Sequence, residues 1–189
     1  MDNQEVRNLV NFILAAGRLK RVERAGWSIR HLPGESVADH TYRTCVLALL
    51  LSQSAQVETD TEKVLLMSLF HDLAEGYIGD WDLETTKLVG KNKKHEIEKG
   101  VIEQLFALLP EKLMMEYSGL WKEFLEGKSR EAKIVHVADK LEALVQAYEL
   151  EMFGVSGWAM EEFSQGVYTN DIPNDVVELV RAIVGALGR

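Results

Sequence analysis

Cysteine is almost missing: Cys45 is the only one in 189 residues, so no internal disulfide can form and no cysteine spacing describes a zinc finger. Set among Val46, Leu47 and Leu49, it reads as a small core hydrophobe rather than a nucleophile. Proline is scarce as well, with three in the chain. With no low-complexity stretch and no internal repeat, nothing marks an interdomain linker, and one domain is expected. No apolar run reaches the roughly 18 residues that would span a bilayer, so no membrane partner is expected. The opening Met1-Asp2-Asn3-Gln4-Glu5 lacks the basic start and apolar stretch of a signal peptide, which leads to the expectation of a cytoplasmic location. Positive charge is not in excess: the formal net charge is -9. Nucleic-acid polymers are therefore unexpected partners, because their binders displace counterions with broad basic patches.

Residues 18 to 31 run against that trend. Arg18, Lys20, Arg21, Arg24 and Arg30 stand there against Glu23 alone, a net of +4. A focused basic segment in an acidic chain fits a small anionic substrate, or else a solvated helix end whose cations complement the helix dipole.

Strict alternation of polar and apolar residues is also rare, while apolar residues recur at helical spacing almost throughout, which predicts an all-α fold. At 47% hydrophobic and 27% charged residues, the composition is that of an ordinary globular domain. The single domain is expected to have its core over about 5–155 and a C-terminal helical segment over about 156–189. Helices are expected near 4–23, 37–55 and 60–75, with a loop over 26–34 that contains Pro33. Ser36 followed by Asp39, and Thr59 followed by Glu62, have the capping-box pattern. Gly76 and Gly79 are expected to break the third helix, and the loop 76–90 carries Asp80, Trp81 and Asp82. Further helices are expected near 92–109, 111–126, 129–153 and 174–187, the last opened by Asp171 and Pro173.

What the chain does contain is a constellation of imidazoles and carboxylates. His40 stands in Ala38-Asp39-His40-Thr41, His71-Asp72 follows the apolar run Val64 to Phe70, and Asp139 lies in Val137-Ala138-Asp139-Lys140. Each of these segments has a helical pattern, and the helical period turns His40, His71 and Asp139 toward apolar faces. A carboxylate buried without a partner costs several kcal/mol, and one metal ion would satisfy the whole set. His40, His71, Asp72 and Asp139 form a mixed nitrogen and oxygen donor set suited to a divalent ion such as Mn, Co, Mg, Zn, Ni or Fe. Such an ion lowers the pKa of a bound water from 15.7 toward about 7 in the best cases, which makes hydrolysis the expected chemistry. Glu75, one turn beyond Asp72, is the expected general base or acid. Asp80 is expected to hold a water, a sugar hydroxyl or a second cation, or else to cap its loop.

The order His40, His71-Asp72, Asp139, together with Gly26-Trp27-Ser28-Ile29-Arg30, Glu35-Ser36-Val37-Ala38-Asp39-His40, His71-Asp72-Leu73-Ala74-Glu75 and Ala138-Asp139-Lys140-Leu141-Glu142, resembles the HD-domain superfamily of metal-dependent phosphohydrolases. The match is best to its short, single-domain branch, which contains the 5′-deoxynucleotidases, and it covers about residues 5 to 155. The resemblance implies a small nucleotide substrate, hydrolysis of nucleoside 5′-monophosphates, and a homodimer. It implies that Glu75 orients the attacking water and passes a proton toward the leaving 5′-oxygen. It also implies that Trp27 helps exclude a ribose 2′-hydroxyl, unless Trp27 is a core anchor of its loop. Arg30, through its planar fork, with His31 and Arg24, completes the expected substrate contacts. His136, three residues before Asp139, is a candidate neighbour of that ligand, whereas His95 lies in a charged, solvated helix face.

Other branches of the superfamily match less well. Guanosine tetraphosphate hydrolases place an aspartate after the glutamate, where this chain has Gly76. Cyclic-dinucleotide phosphodiesterases carry Gly-Tyr-Pro, which does not occur here. A non-catalytic helical module that uses the metal or a nucleotide only for binding is the alternative from another class. Residues 141 to 163, with Leu144, Val145, Tyr148, Met152, Phe153 and Trp158, are apolar enough either to form a dimer face or to fill the core.

Overall fold

The computed structural model describes residues 2–154, 163–164, 166–168 and 171–188. Among them the regular structure is helical, and the one extended pairing is an isolated antiparallel bridge between Glu23 and Ser36. No helix among the described residues is long and apolar enough to cross a membrane. The chain resolves into two compact units, Met1–Asp39 with Phe70–Trp121, and His40–Leu69 with Lys122–Arg189.

The first unit begins with α1 (Asn3–Ala16), opened by a capping box in which Asp2 accepts from the Gln4 and Glu5 amides and Glu5 accepts from the Asp2 amide. The first helix expected to run to residue 23 ends earlier, because the backbone tightens into a 3₁₀ turn over Gly17–Arg21. A short helix, α2 (Ala25–Ser28), then interrupts the expected loop. The amide of Arg24 donates to the Glu35 carbonyl, and that of Val37 to the Val22 carbonyl, so the loop closes on itself. The capping box at Ser36 and Asp39 is present: Asp39 accepts from the Ser36 amide, and the Asp39 amide donates to Ser36 Oγ. It opens α3 (Val37–Ser54).

At the far end of α4 (Thr61–Phe70) the structure corrects the sequence expectation. His71 and Asp72 lie not in a helix but in a turn over residues 71–74, where Leu73 donates to Phe70 and Glu75 to Asp72 in i→i−3 fashion. The helix stops before Gly76, which sits inside the short α5 (Glu75–Ile78), and Gly79, at φ 76°, caps that helix in the left-handed region that glycine tolerates. A Cβ at Gly76 would lie 3.4 Å from Arg18 Cβ and 3.5 Å from the Ala15 carbonyl oxygen, so the position is pressed against the 3₁₀ turn. Part of the expected loop 76–90 is helical as well, as α6 (Leu83–Val89), capped by Asp82 on the Thr85 amide. Helix α7 (Lys91–Phe106) and the start of α8 (Glu111–Glu126) complete the unit. Its core centres on Phe106, which is fully buried and faces Phe12, Phe70 and Tyr117 at ring separations of 6.3, 5.5 and 6.0 Å.

The second unit is organised by α9 (Arg130–Met152), 23 residues capped by Ser129. It buries Ala132, Val135, Ala138, Leu141, Leu144 and Ala147 among others, and buried positions on most of its circumference mark it as a central helix. Two helix starts differ from expectation. Asp60, not Thr59, caps α4 by accepting from the Lys63 amide, while Thr59 Oγ1 donates to the Val57 carbonyl. The last helix, α10 (Val177–Leu187), starts three residues later than expected, after a turn over 174–176. Asp175 in that turn takes both outer nitrogens of Arg130 at 2.8 and 2.6 Å and the amides of Gln56 and Val57. Those donors hold its carboxyl well below the usual range.

Phe106→Ala is expected to destabilise the protein by about 3–5 kcal/mol, the cost of emptying a fully packed aromatic site. Urea unfolding measures it, and a loss under about 1 kcal/mol would show that the aromatic cluster is not the core of its unit.

Candidate metal centre

Within the first unit the turn after α4 gathers five of the expected site residues. His71, 7% exposed, has Nε2 3.1 Å from Asp72 Oδ2. Arg24, one residue before α2, lies 3.6 Å from Asp72 Oδ2 and 3.6 Å from Asp80 Oδ1. Asp80 is fixed by the Ala25 amide, which donates to its Oδ2 at 2.7 Å. Glu75, 2% exposed, starts α5 next to them.

A participant missed by the sequence reading is Lys94 on α7, whose Nζ is 3.8 Å from Glu75 Oε1 and 3.3 Å from Glu98 Oε1. The charged stretch around it looked like a solvated face, and His95 is indeed exposed. Only its position one turn before Glu98 on the helix's inward side separates Lys94 from its neighbours.

The Glu75 carboxyl is pushed well above the usual glutamate range. Burial is the main cause, followed by the like charges of Asp72 and Asp80, and the cations Arg24 and Lys94 only partly oppose them. Its Oε2 is buried with no hydrogen-bond partner among the described residues. An orphaned oxygen beside other carboxylates is a place for added positive charge, a proton or an ordered water.

Within the second unit, α3 and α9 bring another imidazole against carboxylates. His40, fully buried, has Nε2 3.2 Å from Asp139 Oδ1 and Nδ1 2.5 Å from Glu142 Oε2. Lys140 Nζ is 2.9 Å from the other Asp139 oxygen. Glu142, which the sequence places in the Ala138 to Glu142 motif without a role of its own, is a second buried carboxylate here. Burial raises its pKa, but the hydrogen bond and charge of His40, with the charge of Arg43, outweigh burial and leave the carboxyl below its ordinary value.

Arg43 donates from Nε to Glu142 at 2.8 Å, from one outer nitrogen to Glu149 at 2.6 Å and from the other to Gln146 at 2.5 Å. The i, i+3 spacing of His40 and Arg43, matched by that of Asp139 and Glu142, was the available signal. It places each pair on one helix face.

Each imidazole therefore stands beside a carboxylate, a donor set that fits a divalent ion. The other expected residues make contacts elsewhere. Trp27 is 2% exposed, with Nε1 3.4 Å from Glu35 Oε1, which matches the core-anchor alternative. Arg30 donates to the Gly26 carbonyl at 2.7 Å. His31 is exposed at φ 56° and lines a cleft with Glu23 and Glu35, carboxylates that disfavour a phosphate there. The His136 ring stacks on Phe124 at 4.3 Å, and its Nε2 meets the Phe124 carbonyl at 3.0 Å, near the end of α8. Burial pushes the Cys45 thiol up, away from nucleophilic use.

Comparison with known proteins extends this picture. The family model described as "HD domain" matches residues 16–172. The 5′-deoxynucleotidase HDDC2 of Bos taurus is 34% identical over 95% of this chain and 86% of its own length. Its namesake in Danio rerio is 36% identical over 82% of this chain and 76% of its own. A protein of known structure from Pyrococcus horikoshii superposes with a TM-score of 0.80 at 29% identity, over 93% of this chain and 98% of that one.

The raised pKa of Glu75 makes a stability prediction. A carboxyl whose folded pKa lies above its unfolded value of about 4.3 leaves stability intact below that value and erodes it as pH rises through the folded one. Metal-free Glu75→Gln is therefore expected to melt a few degrees above the parent at pH 8, and the two should converge as pH falls toward about 4. Thermal unfolding in a chelator reads this, and equal melting at pH 8 would remove the cost argued for the buried, ionised Glu75.

Proposed function

We propose a reaction from a fixed premise: the chain belongs to the HD-domain family, and it works as a metal-dependent phosphohydrolase that releases phosphate from nucleoside 5′-monophosphates. The single observation that carries the reading is the crowding of Asp72, Glu75 and Asp80 around Arg24 and Lys94, with Glu75 buried and its pKa raised. A site that needed only to bind an ion has no use for a third carboxylate of that kind. The substrate class follows from the relatives named 5′-deoxynucleotidase, which match over most of both chains.

In this reading His40, His71, Asp72 and Asp139 hold one divalent ion, drawn from Mn, Co, Mg, Zn, Ni and Fe. When bound, the ion supplies Lewis acidity toward the phosphoryl group and acidifies a water. The remaining work belongs to the chain. Glu75 orients the attacking water and holds the proton that reaches the leaving 5′-oxygen, a task suited to a carboxyl with an elevated pKa. Arg24 is the guanidinium best placed to meet charge on the phosphoryl oxygens, and Lys94 steadies Glu75 from its other side. Asp80 holds Arg24 and a water or sugar hydroxyl. Trp27 shapes the sugar side by anchoring the loop that carries Arg24, a loop that Arg30 braces through the Gly26 carbonyl.

One family match over residues 16–172 supports a single working domain. A cytoplasmic homodimer completes the reading. Of the residues considered for its interface, Leu144 is buried in the core, Met152 and Phe153 are exposed, and Trp158 lies outside the described residues. Exposed stripes at Val6, Val10, Ile13 and Leu14 on α1, and at Tyr42, Val46 and Leu50 on α3, offer better dimer faces.

The test is phosphate release from ribo- and deoxyribonucleoside 5′-monophosphates by stripped protein with each metal restored. Metal-dependent release that favours the deoxy substrates is expected. Asp72→Ala should lose metal, while Glu75→Ala should retain metal and lose about 10²–10⁴-fold in turnover. Full activity in Glu75→Ala would remove it from the mechanism.

A further inference from the structure

We infer that Glu142 is a positioning residue for the metal centre: anchored by Arg43, it accepts the Nδ1 proton of His40 and thereby commits Nε2 to the ion. This rests on the assignment of His40 as a ligand made above. His40 and Glu142 are both fully buried. Neutral imidazole carries one proton, and two carboxylates of the same unit stand at unequal distances from its ring nitrogens. Glu142 Oε2 is 2.5 Å from Nδ1, whereas Asp139 Oδ1 is 3.2 Å from Nε2.

With the proton on Nε2, a nitrogen lone pair and a carboxylate oxygen would oppose each other at 2.5 Å with no water to screen them. With the proton on Nδ1, the short contact becomes a charge-assisted hydrogen bond. The Nε2 lone pair then points to the side of Asp139, where a cation shared by the two resolves the remaining opposition.

Arg43 makes the arrangement rigid. Its Nε holds the other Glu142 oxygen at 2.8 Å, and its outer nitrogens are taken up by Gln146 and Glu149, one and two turns along α9 from Glu142. Glu142 therefore has both oxygens engaged, and its buried charge is paired.

The test is metal affinity, read by competition with a chromogenic zinc chelator on stripped wild type, Glu142→Gln, Glu142→Leu and Glu149→Gln, each checked for cooperative unfolding. Both Glu142 variants are expected to bind zinc about 10- to 100-fold more weakly, while Glu149→Gln, which alters only the outer contact of Arg43, stays at the wild-type value. A folded Glu142→Gln with wild-type affinity overturns the inference and leaves the metal assignment standing. Wild-type protein that binds no zinc overturns both. A second measurement needs no variant: ¹⁵N–¹H long-range correlation spectra of zinc-loaded, histidine-labelled wild type should show His40 protonated on Nδ1 and metallated on Nε2. The opposite pattern overturns the inference.

Discussion

Buried carboxylate charge is the constraint on which the rest of this molecule depends. In the first unit Asp72, Glu75 and Asp80 share two cations, Arg24 and Lys94. In the second, Asp139 and Glu142 bracket one imidazole while Arg43 serves Glu142. The two groups are balanced differently. Glu142 is held ionised by its donors, whereas Glu75 is driven toward its neutral form by burial and by its neighbours. A paired carboxylate gives a stiff support, and a frustrated one gives a group ready to exchange a proton. The same side-chain chemistry thus yields scaffold in one place and reactivity in another.

Much of this was legible in the sequence, for identifiable reasons. The all-α class followed from periodicity, and the helices α3, α7, α8 and α9 lie within a few residues of their expected bounds, because each carries a clear apolar stripe or a capping signal. The capping box at Ser36 and Asp39 was readable because it is a local exchange of hydrogen bonds. His40, His71, Asp72, Asp139 and Glu75 could be named as candidates because few residue types can do that chemistry and each follows or interrupts an apolar run.

What escaped was set by tertiary contact. Nothing local stops α4 at Phe70; the turn that carries His71 and Asp72 follows Phe70, whose ring packs on Phe106. Lys94 was hidden in a run of similar charges, and only packing distinguishes the one lysine turned toward Glu75. Glu142 was hidden by its type, since a glutamate on a long helix is ordinarily solvated, and its burial depends on Arg43, 99 residues away along the chain. For His136 the only local signal was its three-residue separation from Asp139, while its stacking on Phe124 joins residues 12 apart and had no sequence signature.

The turn that replaces helix at residues 71–74 also fixes a spacing. In i→i−3 geometry, side chains three residues apart eclipse rather than fan out, so Asp72 and Glu75 stack on one side of the chain. One residue more or fewer between them would swing the glutamate by about a third of a turn, away from Arg24 and Lys94. Insertions and deletions are thus barred from this short stretch. The segment can accept substitutions over evolutionary time, but its length is locked by the register of one turn.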